Sequence, residues 1–187
     1  MALKIATEPA VEPISSTEAK LQCRVDVATD DTLIASLITA ARRAAEKILW
    51  RALCTQTWDL YLDAVPGEDE LELPLPPLQS VTYVKYTPLS TGVAATFASA
   101  SYSVDAVSEP GRIVLNDGYS WPSDTLVKVN GFNVRFICGY GVAAAVPQEI
   151  KQALLLLIAY WYDNRDAIGE VPAGIERLLW LNRMKGF

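Results

Sequence analysis

The chain has 187 residues, of which 51% are hydrophobic and 20% are charged, and it contains no histidine. This size and composition are typical of a globular chain that forms one domain, or one domain with a subdomain, around a sizeable core. The missing histidine excludes His-based catalytic triads, histidine general bases and nearly all of the usual zinc sites.

The net charge of −6 is unevenly distributed along the chain. Residues 51–146 carry 10 acidic and 5 basic side chains, so this stretch alone contributes −5. Tight binding of a phosphate backbone needs clustered lysine and arginine, so an acidic stretch is not expected to bind nucleic acid tightly. It suits a surface that lets nucleic acid pass, and ordinary solubility explains it equally well.

Three cysteines, Cys23, Cys54 and Cys138, are far apart and odd in number, and no CxxC motif is present. This pattern predicts free buried thiols in a reducing compartment. The first residues carry one lysine but no sustained apolar run, so no signal peptide is predicted.

Two helices are predicted in the first part of the chain. Ser15 and Glu18 form a capping-box pattern, which starts a short helix. Asp30 or Asp31 then caps a longer helix with apolar residues at three- and four-residue steps. The many alanines of this longer helix permit the close approach of another helix, either from the same chain or from a neighbour.

From Cys54 onward the apolar period changes from 3.6 to 2. Trp58, Leu60 and Leu62 alternate with polar residues, as in a half-buried strand. Further short runs continue to Tyr140, with proline or glycine roughly every 8–12 residues. About six such strands predict an antiparallel sheet or a small barrel.

The most apolar stretch runs from Pro147 to Arg165. Proline suits the first turn of a helix, while Glu149 and Arg165 have the signs that the helix dipole favours at its two ends. Apolar residues cover almost the whole circumference, which predicts a buried core helix. Its uninterrupted non-charged run of about a dozen residues is well short of the roughly 20 that a bilayer span needs. A break follows, and a last amphipathic helix begins near Ile175.

The predicted fold class is α+β, with a helical frame from both chain ends and an inserted antiparallel β module. As domains, we predict a helical core from residues 1–52 and 147–187 and a β-rich insertion subdomain from residues 53–146. The predicted helices cover residues 15–23, 31–50, 147–165 and 175–185, approximately.

Two motifs invite a chemical interpretation that the sequence does not support. Gly139-x-Gly141-x-x-Ala144 follows a strand as a dinucleotide fingerprint does, but Pro147 places the helix start several residues too late to face a pyrophosphate. The acidic run of Glu68, Asp69, Glu70 and Glu72 lies at a turn signal without a partnered base, so we predict a solvated loop. No catalytic residue, cofactor or metal is predicted.

Near the C-terminus stand three large apolar residues, Trp180, Met184 and Phe187. Such residues either fold back onto the core or offer an anchor to a partner, and both interpretations stay open. The run from Asp163 to Asp166 ends the core helix, where Asn164 and Arg165 either cap the helix or bridge subunits.

Four segments together carry a family resemblance. They are RALCTQTWDLYLDAVP (51–66), PPLQSV (76–81), EPGRIVL (109–115) with Trp121-Pro122, and VRFICGYG to VPQEIKQALLLLIAYWYDNRD (134–166). On these segments the chain is similar to the head–tail connector, or adaptor, proteins of tailed bacteriophages and prophages, in the longer version with a β insertion. The similarity covers nearly the whole chain and departs where members often have histidine before the Trp-Tyr pair, because Tyr160 stands there. The last dozen residues match least well.

The resemblance implies a non-enzymatic virion assembly protein of the virion neck, made in the bacterial host cytoplasm. Such proteins form a ring of about a dozen copies under the portal protein, extend the DNA channel and receive stopper and tail proteins. DNA is then expected to pass through without sequence-specific binding, and no membrane is involved. A tail-completion or stopper protein of the neck is the main alternative, and a phage-encoded hydrolase is disfavoured by the missing histidine and the lack of paired acids.

Under this resemblance we predict three surfaces. The acidic β module would line or rim the channel. The alanine-rich helix would contact a neighbouring copy through Ala41, Arg42 and Ala45. The C-terminal group of Trp180, Met184 and Phe187 would dock on the portal.

Overall fold

The computed structural model describes residues 1–184. These residues have the α+β architecture that the sequence predicts, with the strands in a β-rich module. The helices are α1 (Ser16–Cys23), α2 (Asp31–Leu49), α3 (Gln148–Asp163) and α4 (Ala173–Trp180). The strands are β1 (Ala2–Thr7), β2 (Gln56–Leu62), β3 (Glu70–Leu73), β4 (Leu78–Tyr86), β5 (Ala95–Phe97), β6 (Tyr102–Asp105), β7 (Gly111–Leu115) and β8 (Phe132–Cys138).

The chain forms two compact units. The β unit comprises Met1–Pro9 and Thr55–Gly139, and the helical unit comprises Ala10–Cys54 and the chain from Tyr140 onward. The first nine residues therefore pack with the strands. The predicted domain boundaries at residues 52 and 147 stay a prediction.

In the helical unit, α2 and α3 build the core from the apolar faces that their sequence periods predict. Trp161 is the largest fully buried side chain of the unit, and its indole nitrogen donates to the Glu170 carbonyl at 2.8 Å. The buried apolar residues of the two helices are Ile34, Leu37, Ile38, Ala41, Ala45, Leu49, Ile150, Ala153, Leu154, Leu157, Ile158 and Trp161.

The predicted capping box at the start of α1 is present. The Glu18 backbone N–H donates to Ser15 Oγ at 3.2 Å, and the Ser15 backbone N–H donates to Glu18 Oε2 at 2.8 Å. Lys151 of α3 adds an ion pair to Glu18 at 3.0 Å. The hydrogen bonds from Ser15, followed by that from Lys151, lower the pKa of Glu18 to about 2. One carboxylate thus both caps α1 and joins it to α3.

Two helix ends differ from the sequence prediction. Asp30 occupies the N-cap position of α2 but makes no capping bond, because its Oδ2 accepts a hydrogen bond from the Tyr162 hydroxyl at 2.6 Å instead. The last helix ends at Trp180 rather than near residue 185. Beyond it, the Met184 backbone N–H donates to the Leu49 carbonyl at 2.9 Å, which ties the segment to the end of α2.

The larger sheet of the β unit has five antiparallel strands in the order β1-β2-β8-β4-β5. One face is apolar, as the period of 2 predicts, with Leu60, Val134 and Val84 fully buried in one row across β2, β8 and β4. The edge strand β1 is absent from the sequence prediction. Only two of its apolar residues, Leu3 and Ile5, follow the alternating pattern of a strand. This pattern is too short to predict a strand without knowing that β2 pairs with it.

A second, three-stranded antiparallel sheet has the order β3-β7-β6. Its apolar face packs against the apolar face of the larger sheet through a chain of four aromatic rings. Trp121 meets Phe132 edge-on at 5.6 Å between centroids, Phe97 lies 5.5 Å from Trp121, and Tyr102 stacks on Phe97 at 6.0 Å. The β unit is therefore a two-layer sandwich with two outer faces.

Glycine at position 111 is required by this sandwich. A Cβ on Gly111 would overlap the side chain of Leu78 in the opposite layer. We predict that Gly111→Ala lowers the free energy of unfolding by about 1–3 kcal/mol, as overpacking does. Chemical denaturation measures the effect. Gly67→Ala is the matched control, because a Cβ there meets nothing within 4 Å, and equal effects of the two substitutions would contradict the prediction.

A second prediction concerns pH. Because the pKa of Glu18 is lowered to about 2 from 4.5, its contribution is complete above about pH 4.5 and is lost as the pH falls towards 2. Glu18→Gln should cost less than about 1 kcal/mol at pH 7 and nothing near pH 2. Urea denaturation across this pH range tests it, with the exposed Glu149→Gln as control. A difference from wild type that persists at pH 2 would contradict the assignment.

Candidate functional site

The residues that suggested chemistry have structural roles. The Glu68 carbonyl accepts the Trp121 indole N–H at 2.7 Å, and Glu70 pairs with Arg112 at 3.0 Å. Gly139 and Gly141 have positive φ angles of 112° and 109° in a turn that precedes the helix. Across residues 1–184, no group of three or more histidine, cysteine or acidic side chains is placed to hold a metal ion.

Two of the three thiols are buried as predicted, whereas Cys23 is only partly buried. Cys54 and Cys138 are fully buried, and Cys23, Cys54 and Cys138 are all free of disulfides. Burial raises the pKa of Cys54 to about 11, so its thiol is protonated at neutral pH. In the described part of the chain, no helix is long and apolar enough to cross a membrane.

The two units differ in net charge. The β unit carries 11 acidic and 5 basic residues, whereas the helical unit carries 11 of each. The whole net charge of −6 therefore belongs to the β unit. Within that unit, the two outer faces of the sandwich have opposite signs.

The outer face of the five-stranded sheet is cationic. Its strands contain three basic residues and one acid, and the strand register places all four on this face. Arg135 donates to both carboxylate oxygens of Asp59, at 2.8 and 2.7 Å, and lies 5.2 Å from the Tyr83 ring. The Arg135 hydrogen bonds lower the pKa of Asp59. Lys4 lies opposite Asp59 and is exposed, and Lys85 stands 4.3 Å from the Tyr83 ring.

The outer face of the three-stranded sheet is acidic. Its strands contain three acids and one basic residue, again on one face. Arg112 lies in the middle, pairing with Glu70 at 3.0 Å and Asp105 at 3.2 Å, while Glu72 is exposed beside it. Hydrogen bonds from Ser108 are the main cause that lowers the pKa of Asp105 to about 2.

The predicted subunit-contact residues on α2 lie inside their own unit. Ala41 and Ala45 are fully buried, and Arg42 is only 2% exposed. Arg42 pairs with Glu12 at 2.8 Å and with Glu46 at 2.9 Å. The close approach that the alanines permit is used within the chain, so these three side chains present no surface to a neighbour.

The C-terminal residues divide between core and surface. Met184 is buried, whereas Trp180 is 53% exposed and its ring lies 4.7 Å from the Arg183 guanidinium. Phe187 lies outside the described residues. Arg51 donates to the Asn182 carbonyl at 2.7 Å, so the segment after α4 is held at the end of α2. The terminal surface, as we call it, consists of the exposed apolar side chains of these two segments, Trp50, Trp180 and Leu181.

Comparison with known proteins decides the family. Residues 12–171 match the head completion protein (HCP) family, which is most of the chain. The chain belongs to the head completion protein family. It is therefore a structural protein of phage particle assembly and not an enzyme. No curated protein sequence matches the chain significantly.

Solved structures share the fold of this head completion protein. A chain in the neck of an empty gene transfer agent (GTA) particle computed with C6 symmetry is similar over 100% of this chain and 97% of that chain, with a TM-score of 0.83 and 24% identity. A chain in the neck of a native GTA particle computed with C12 symmetry has the same coverage, a TM-score of 0.70 and 25% identity. With the family match, this likeness confirms the resemblance to a head–tail connector-type phage protein.

The two charged faces of this head completion protein were not predicted. The separate signals were present, since every strand except β5 carries one or two charges. Their sum on one face depends on which strands are neighbours, and that order was not predicted. The terminal surface was predicted in part, through Trp180.

The intrachain role of Arg42 gives a prediction. Arg42→Met should lower the free energy of unfolding of the isolated head completion protein by roughly 2–4 kcal/mol, because Glu12 and Glu46 lose a largely buried partner. Thermal and urea denaturation of the unassembled protein measure it. The exposed neighbour Arg43→Met is the control. If Arg42→Met leaves the isolated chain as stable as this control does, the ion pairs of Arg42 do not stabilise the fold of the single chain.

Proposed function

We propose that this head completion protein is the head–tail connector, or adaptor, of a tailed phage or prophage. In this role it forms a ring under the portal protein at the virion neck, extends the DNA channel and receives stopper or tail proteins. The observation that carries the proposal is the structural likeness to a chain of a GTA neck with C12 symmetry, because it covers all of this chain and therefore both units.

The charge distribution supports a role beside passing DNA. A ring that surrounds DNA must not retain it, and the β unit has an excess of six acidic residues over basic ones. Repulsion between such a surface and the phosphate backbone favours sliding over binding. In the proposed ring, the β unit lines or rims the channel.

The terminal surface supports a dock for the portal protein. Trp180 is 53% exposed and Leu181 is 78% exposed. Adjacent large apolar side chains that are exposed in the free chain mark a surface for interaction with another protein. Tryptophan is one of the residue types that contribute most to the binding energy at protein interfaces. The hydrogen bonds from Arg51 and Met184 hold the segment in place, which lowers the entropic cost of docking.

The test mixes the purified protein with the portal ring of the same phage and follows complex formation by sizing and electron microscopy. We expect a ring of this protein added at one end of the portal. The double variant Trp180→Ala/Leu181→Ser should weaken this complex at least ten-fold, whereas Ile168→Ser, which is also an exposed apolar residue of the helical unit, should not.

The outcomes separate the parts of the proposal. A portal-bound ring that survives the double variant keeps the connector function and removes the terminal surface as its dock. If the wild-type protein forms no complex with the portal at micromolar concentration but binds tail-side neck proteins, the adaptor role is wrong and the stopper or tail-completion alternative replaces it.

A further inference from the structure

We infer that neighbouring copies in the ring contact each other through the two outer faces of the β unit. The cationic face of one copy meets the acidic face of the next. This inference rests on the proposed ring, because it names the contact from which the ring is built.

The two outer faces carry opposite net charges. In the described strands of the five-stranded sheet, the basic residues Lys4, Lys85 and Arg135 face outward with a single acid, Asp59. In the three-stranded sheet the composition is reversed, with three outward acids around Arg112. One face thus has a net charge of +2 and the other of −2. Opposite potentials of this kind favour and orient association between proteins.

The two charged faces lie on opposite sides of the β unit. The apolar faces of the two sheets pack against each other through Phe97, Tyr102, Trp121 and Phe132, so the two outer faces point away from each other. Complementary surfaces on opposite sides of one body produce head-to-tail contacts. Such contacts close into a ring when the rotation from copy to copy divides a full turn into equal steps without a rise along the axis, which is the cyclic symmetry that a neck ring requires.

Both faces present exposed charged side chains. Lys4 and Glu72 are exposed and lie at the outer strands of their faces, and the Arg112 side chain is 41% exposed. The central Arg135–Asp59 pair is held by two hydrogen bonds and a tyrosine ring, which keeps the cationic face rigid before assembly. A preformed face loses little conformational entropy when it docks.

The experiment uses charge reversals on the full-length protein. Lys4→Glu and Glu72→Lys each place like charges across every subunit contact, and we expect each to weaken self-association about five- to ten-fold per contact at low salt. Lys128→Glu and Asp117→Lys, exposed loop residues off both faces, give the same changes in net charge and serve as controls. Self-association is measured by analytical ultracentrifugation at high protein concentration, and ring formation on the portal by electron microscopy.

The decisive step is mixing. If the contact is head-to-tail, Lys4→Glu copies and Glu72→Lys copies can alternate around a ring so that every contact again joins opposite charges. An equimolar mixture, and the double variant Lys4→Glu/Glu72→Lys, should therefore recover assembly that neither single variant shows. Raising the salt concentration should reduce the differences between all of these proteins.

Each other outcome overturns a stated part. If the wild-type ring binds the portal but the charge-reversal variants self-associate as well as their controls, this interface is overturned and the connector function is kept. Charge-dependent self-association without portal binding upholds the interface and overturns the connector function. If Lys4→Glu abolishes binding to a 30-base-pair DNA duplex while ring assembly is unchanged, the cationic face contacts DNA and the subunit contact is wrong.

Discussion

The antiparallel pairing of β2 with β8 is the constraint on which the rest of the structure depends. Seven residue pairs align Gln56–Leu62 with Phe132–Cys138, so the start and the end of the inserted segment lie side by side. The chain leaves the helical unit at Cys54 and returns to it at Tyr140. Because of this pairing, the strands in between can form their own sandwich without separating α2 from α3. The buried Asp59 carboxylate, with its two bonds from Arg135, fixes the register of the pair, since a one-residue slip would turn every side chain to the other face.

Local periodicity was sufficient to predict the helices and the apolar face of the larger sheet. The apolar run before Tyr162 and the Ser15–Glu18 box are signals that lie within a few residues of each other. The predictions that were wrong or missing concern residues whose structure depends on partners far away in the sequence. Asp30 carries a normal N-cap signal, but the Tyr162 hydroxyl, 132 residues away, takes its carboxylate. Strand β1 becomes a strand only because β2, more than 50 residues later, offers it an edge.

The candidate surfaces show the same limit. Alanines at regular spacing indicate close approach of another helix, but they do not say whether that helix belongs to the same chain, and here Ala41 and Ala45 pack inside it. The charged faces are invisible along the sequence because Lys4 and Lys85 are far apart and become neighbours on one face only through the strand order. A solvated acidic loop was predicted at residues 68–72, whereas Glu70 and Glu72 belong to strand β3 of a sheet whose outer face carries three acids and one arginine.

The order in which the two units alternate along the chain has a consequence for synthesis on the ribosome. Helices α1 and α2 are made early, but α3, which covers the apolar side of α2, follows the whole 55–139 segment of the β unit. At about 5–20 residues per second, α2 waits roughly 6–23 seconds until α3 has been made. The β unit has all of its residues once Gly139 is made, so it is the first part of the nascent chain that can complete its fold. The helical unit is completed last, after the β unit.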